Sequence, residues 1–532
     1  MDRRHFLGLT GAAAVAPFAQ PVARALAQSA PGTITYGQST SIVTLDPAQG
    51  AFSNYPGGYE AALCLFDRLL DFDADMKIVP GLAQSFQLAS DLKSITLKLR
   101  PGVLFHDGTP LDAAAVKFNI ERLMDKARNP TNRPLWDPVT AVETPDATTV
   151  IIRTGAPYAQ LPNSLAHASG SIVSPAQIAK VGEKGFAQAP VGAGPFEVES
   201  FKPGTELTLK AFDRYWGGKP AAQKIVFKFI AEAATRISAL RTGAVDVIDS
   251  VPVQLVQPLT QDPNVTVLRK PGLRPIGLVI NLTREPLADV RVRQALNYAV
   301  PVETIAQRVF FGFAKAPDSP LAFDTVGHAA VGKSTFDQAK AKALLAEAGW
   351  KPGASGIVEK DGKPLKLDLY APDGLFPGDI PVAEIVAASL KQIGVDAQIS
   401  KIEKGAYWDQ LRQDRAGLKW DLAMFGFNPS NASGLYHMES LFKANKDDAG
   451  RPDVWNVGRY RNPKVDAALA AANADADPAK QNAALAEAQK LVWDDAPYIW
   501  LQVNENVSAA RKSVSGVEVW PIVFTVVRRA KA

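Results

Sequence analysis

Few side chains in this sequence could carry chemistry, and they are scattered. Five histidines and one cysteine stand among 532 residues. A lone Cys64 excludes an internal disulfide and a multi-thiolate metal site, and its neighbours Leu63, Leu65 and Phe66 predict a buried thiol. His106 sits in a His-Asp-Gly turn with no second metal ligand near it in sequence, which predicts a structural role. Asp71, Asp73 and Asp75 alternate like the start of a calcium loop, but Met76 and Leu82 stand where that loop requires glycine and glutamate. His437, between Tyr436 and Met438, is one imidazole and cannot enclose a transition metal. There is no GxSxG elbow, no HExxH, no CxxC and no Walker lysine loop. The expectation is therefore no catalytic residue, no metal and no cofactor. Recognition chemistry is better represented. Arg133 and Trp136 close a polar loop, and a guanidinium with an indole could hold a carboxylate beside an apolar group.

Around these residues the chain alternates strands and helices. Gly192, Gly194 and Pro195 open a hairpin in which Phe196 and Val198, then Leu207 and Leu209, alternate with polar residues about a Lys202-Pro203-Gly204 turn. A third strand carries Ile225, Phe227 and Phe229, and a helix follows until Gly243 stops it. Upstream, residues 95–111 predict a strand, a turn and a second strand, and Asp112 predicts a cap for a helix over 113–124 with Val116, Ile120 and Leu123 on its core face. Downstream come a Pro- and Gly-containing hinge at 271–277, strands at 278–282, 365–370, 395–399 and 421–427, and helices at 289–300, 339–350 and 382–393. One helix is expected over 467–493, then a returning strand at 497–501 and a last strand pair in 514–527. Strands and helices alternating at these lengths imply an open α/β sheet, in which ligands sit beyond the carboxyl ends of strands. The segment beyond Phe427 fits that position and offers Asn428, Ser430 and Asn431 but no acid, so it is poorly equipped to hold a ligand's ammonium.

At about 150 residues per domain, this length predicts about three units. Net charge is +4, and Arg3, Arg4 and Arg24 against Asp2 account for half of it. With no basic stripe, nucleic acid is not an expected partner. Residues 1–27 combine the twin-arginine RRxFL pattern, a short Gly- and Ala-rich apolar run and an Ala-Leu-Ala exit, so a cleaved export signal is expected, with a product free in the periplasm and not lipid-anchored.

The runs GAGPFEVESFKPG, RYWGGKP and IVFKFIAEAATRISALRTGAVDVID, with LKLRPGVLFHDGTPL before them and VRQALNYAV after, resemble the periplasmic solute-binding proteins of peptide and nickel ABC importers, family 5. The resemblance implies an α/β fold of the two-lobe periplasmic binding protein type (class II-like), with an extra subdomain in the first lobe and a hinge of two crossing segments. The expected division is 28–60, 190–273 and 496–532 in the first lobe, 61–189 as the extra subdomain and 274–495 in the second lobe. It implies a non-catalytic receptor, a monomer, that captures a short peptide or peptide-like solute and delivers it to an inner-membrane permease and its ATPase subunits. A nickel chelate, an opine or a sugar is the alternative ligand, and a periplasmic hydrolase is the more distant alternative. The implied ligand-binding residues are Asn54 and Tyr59 after the Leu45-Asp46-Pro47 turn, Arg133 and Trp136, and Phe427, Asn428, Asn431 and His437. Removal of Arg133 or Trp136 is expected to weaken capture. The second arginine that the nickel-binding branch turns on its chelate is missing from 165–175.

Overall fold

A computed structural model describes residues 32–125, 132–452 and 455–532. The export-signal reading lies outside the described residues. An eleven-stranded sheet runs through the molecule. From one edge it takes Asp396–Glu403, Lys366–Asp373 and Leu422–Gly426, crosses on Val265–Ile280 and Tyr498–Arg511, and continues through Val247–Ile248, Thr33–Gln38, Lys224–Phe229, Glu206–Ala211 and Phe196–Lys202. The short strand Ala314–Lys315 joins on Tyr498–Arg511.

The two long strands are the connection between the lobes. They pair antiparallel from Val265 with Arg511 to Val279 with Tyr498, and their register shifts between Pro271 and Pro275 and again between Ile276 and Gly277. Two prolines that donate no hydrogen bond make a ladder break natural here. The Pro- and Gly-containing segment 271–277, expected as a hinge, is extended and lies within this bulged ribbon.

Two large apolar cores flank the ribbon, beside a smaller third one that holds Leu240, Leu259, Val265 and Ala509. One gathers Tyr36, Phe52, Tyr59, Phe66, Trp136 and Phe227, and the other Ile280, Leu296, Val386, Trp420 and Leu469. The side chains of Ala432 and Tyr436 reach out of the second lobe into the first core, and Phe427 packs against both. A separate four-stranded antiparallel sheet, Ala83–Leu88, Ser94–Leu99, Thr149–Thr154 and Val139–Asp146, extends the first lobe. The helix Ala113–Met124 lies beside it, its Asp112 cap accepting from the Ala115 N–H at 2.9 Å.

Local signals held where capping or alternation was strong. Gly243 ends the helix Ala233–Thr242 at φ +81°, and Leu70 and Phe72 point inward from their hairpin. Cys64 is fully buried, and burial pushes its thiol up to about 12. Two expectations fail. The second strand expected before Leu111 shrinks to one bridge, Leu104 with Pro110, because His106 and Gly192 take each other's backbone and ring partners instead. The single helix over 467–493 is two, Pro463–Ala474 and Pro478–Asp495, because Asp477 caps the second and Pro478 occupies its first turn.

Candidate functional site

The lobes meet along the helix Leu161–Ala166 of the first and a loop with the following helix, Gly434–Phe442, of the second. Ser433 caps that second helix by accepting from the Tyr436 N–H, and Asn431 Oδ1 accepts from the Ser433 N–H, so the loop is folded onto its own backbone. Four side-chain contacts then cross between lobes. Gln160 Nε2 donates to Glu439 Oε2 at 2.7 Å, and its Oε1 accepts from Ser433 Oγ at 3.3 Å. Asn163 Nδ2 donates to the Asn431 carbonyl at 2.9 Å, and His167 Nε2 lies 2.9 Å from Ser430 Oγ. Asn428 adds a fifth, its Nδ2 donating to the Ile522 carbonyl at 2.7 Å, and Asn473 a sixth, its Oδ1 accepting from the Ala159 N–H at 3.1 Å.

The His167 contact has a chain behind it. The Ser169 backbone N–H donates to His167 Nδ1 at 3.0 Å, which makes Nδ1 an acceptor and leaves the proton on Nε2, facing Ser430. Trp136 Nε1 donates in turn to Ser169 Oγ at 3.2 Å. Burial, with the Arg68 charge adding to it, pushes His167 down to about 3, so the ring is neutral. His437 is also pushed down to about 3 by burial, and its Nδ1 has no partner among the described residues.

The structure brings Phe427, Asn428, Asn431 and His437 together at this boundary. Phe427 meets the His437 ring edge-on at 5.4 Å, while Asn428 Oδ1 and Asn431 Nδ2 are covered and unpartnered among the described residues. Tyr59 arrives from a helix rather than a loop, stacked on Phe524 at 4.0 Å and edge-on to His167 at 5.8 Å. Asn54 only follows the short helix Gly50–Ser53, half-buried. The Arg133 and Trp136 pair does not form a joint grip. Arg133 binds Asp137 one turn on, at 3.1 Å, whereas the indole turns into the first core against Ser169 and Gly170. An ion pair available at i+4 holds the guanidinium outside, and the apolar interior takes the ring.

The sequence reading missed Gln160, Asn163 and His167, although His167 stands in plain view in the LAHASG run; no periodicity distinguishes a boundary helix from a core one. It also missed Gln502 and Asn504 on the returning strand, whose amide atoms are covered and without partners among the described residues. His106, by contrast, is structural: its ring holds the backbone of Gly192 and Gly194. Two cavities of about 400 and 330 Å³ lie on the second lobe around Arg459 and Trp493, and none of the candidate residues lines them. Among the described residues no three His, Cys, Asp or Glu side chains gather as a metal site, and no helix is long and apolar enough to cross a membrane.

Two lobes on one sheet, joined by two crossing strands and meeting over a polar boundary, define the two-lobe class of periplasmic binding protein. Within it, the chain belongs to the bacterial extracellular solute-binding proteins, family 5, whose model matches residues 77–449. It is 28% identical over 488 residues to the glutathione-binding protein GsiB of Escherichia coli K12, covering 91% of each chain. Among solved structures, NikZ of Campylobacter jejuni in complex with Ni(L-His) matches with a TM-score of 0.81 at 25% identity, over 92% of this chain and 96% of that one. DppA of Helicobacter pylori in complex with the peptide STSA matches with a TM-score of 0.79 at 25% identity, over 94% and 98%. The relatives are solute-binding proteins of ABC importers, and this chain is a solute-binding protein of that kind.

Proposed function

We propose that the chain works in the periplasm after export by a twin-arginine signal, as a monomer that captures a short peptide or peptide-like solute between its lobes and presents it to an inner-membrane ABC permease with its ATPase. No bond of the solute is made or broken. The observation that carries this is a set of covered amide atoms at the lobe boundary without partners among the described residues: Asn428 Oδ1, Asn431 Nδ2 and both amide atoms of Gln502 and Asn504. Between them they offer both donors and acceptors, which is the pairing a peptide backbone requires. A buried polar group without a partner costs about 1–3 kcal/mol, so a solute that satisfies several of them gains much of what micromolar binding needs, about 8 kcal/mol. The GsiB and DppA likenesses support a peptide-like solute.

The test is native mass spectrometry of gently purified protein, followed by calorimetry with the compound found and with di- and tripeptides. The expected result is a bound peptide-like mass and unchanged compound after incubation. Turnover of the compound would end the reading. A second reading, a metal chelate with His437 Nδ1 as one contact, is favoured only by that free nitrogen; Ni(II)-histidine added to the same titration decides it.

A further inference from the structure

The crossing ribbon carries a cation that the boundary residues leave alone. Arg274 lies in the bulge between Pro271 and Pro275, where the register shifts. Among the described residues no carboxylate pairs with it, and its recorded contact is the face of Phe376, 5.7 Å from guanidinium carbon to ring centroid. It keeps a small exposed surface, yet protein surrounds the charge, and that desolvation alone pushes it down to about 10. It therefore stays charged at neutral pH with no counter-ion among the described residues, which is costly unless a guest supplies one.

Its surroundings are shaped for it. Side chains alternate along a strand, so Arg274 and Ile276 share a face of the ribbon with Gln502, which pairs with Ile276, and with Asn504 two residues on. Both amide atoms of Gln502 and of Asn504 are covered and lack partners among the described residues. On the neighbouring strand Gly426 pairs with Ile276, and a Cβ there would stand 3.2 Å from Phe376 Cε1 and 3.5 Å from Arg274 Cδ. The missing side chain gives the arginine and the ring their room. The other cations of this stretch are engaged, Arg269 with Glu505 and Lys270 with Asp75.

We infer that Arg274 is the anchor for a carboxylate of the solute, with Gln502 and Asn504 taking the amide next to it. One free positive charge matches a monoanion, and a guanidinium fork matches the two oxygens of a carboxylate. A phosphate dianion would leave one charge unmatched. This deepens the peptide reading and rests on it: the guest enters with its carboxy-terminal end on the hinge ribbon, and contact with both crossing strands couples anchoring to closure.

The test compares matched acids and carboxy-terminal amides by calorimetry, using tripeptides and, separately, N-acyl amino acids, on the wild type, Arg274→Gln and Arg274→Lys. The expected result is that wild type prefers each acid to its amide by about 10- to 100-fold, from the strength of charge-assisted hydrogen bonds. R274Q binds acid and amide alike, and R274K keeps part of the preference. Empty R274Q melts no lower than wild type, since it loses an unpaired charge, which separates loss of the anchor from loss of the fold. Equal binding of acids and amides by wild type overturns the anchor while leaving the peptide reading intact. Arg274-dependent binding of N-acyl amino acids with no tripeptide bound supports the anchor and overturns the peptide reading.

Discussion

His167 holds its proton on Nε2 because a backbone N–H occupies its other nitrogen, and that proton bridges to the opposite lobe. Replacing Ser430 by alanine removes the bridge without touching either core. We expect the radius of gyration of ligand-free S430A in small-angle scattering to exceed that of wild type, at unchanged far-UV circular dichroism. Trp136 stands behind this contact and inside the first core, so Trp136→Ala should cost about 3–5 kcal/mol in denaturant unfolding and act on capture through the fold. Arg133→Ala removes one surface ion pair and should change stability by less than about 1 kcal/mol and affinity not at all. Protonation gives a further check. His167 and His437 sit at about 3 in the fold, below the histidine value of about 6.5 expected unfolded. The unfolded chain takes up these protons first, so their stabilising effect is full above about pH 6.5 and is lost as pH falls toward 3. Buried acids with raised values, Asp67 among them, oppose this trend, so the informative quantity is a difference. The melting temperature of His437→Asn relative to wild type should rise steadily between pH 7 and pH 4.

The crossing ribbon is the element that sets both rigidity and motion. Where Val265–Ile280 and Tyr498–Arg511 pair in regular register the two strands move as one, and where the register breaks at Pro271 to Pro275 they can twist. Gly272 is pressed against the backbone of Asn504, and a Cβ there would meet the Asn504 carbonyl oxygen well inside contact distance. Gly272→Ala must therefore spread the ribbon at its bend. The expected outcome is a loss of about 1–3 kcal/mol in unfolding free energy, with a slower closing phase in stopped-flow tryptophan fluorescence on adding ligand. Normal closure with normal stability would place the bend elsewhere.

At the scale of the whole molecule, the described contacts are those of a shut cleft: six hydrogen bonds involving side chains cross the boundary and two second-lobe side chains are buried in the first core. Each is small, and together they bias an equilibrium that a solute touching both lobes can complete. Scattering should show an open population in the absence of ligand and one compact population at saturation. A single unchanged profile would argue against capture by closure.

Much of this was legible in residue order. Caps such as Asp112, stops such as Gly243, alternation in the 196–209 hairpin and the long matching runs act over a few residues, so the sequence carries them openly. The segment after Phe427 was legible as a position beyond a strand's carboxyl end, and the fold places it at the lobe boundary. What tertiary structure alone decided is who meets whom across hundreds of residues. His167 reaches Ser430 over a separation of 263 residues, and Arg133 and Trp136, three apart, go to different surroundings. Nor does any local pattern reveal that Arg274 is left without an acid among the described residues while Arg269 and Lys270 are paired, since the field at a charge is set by folded neighbours and not by chain neighbours.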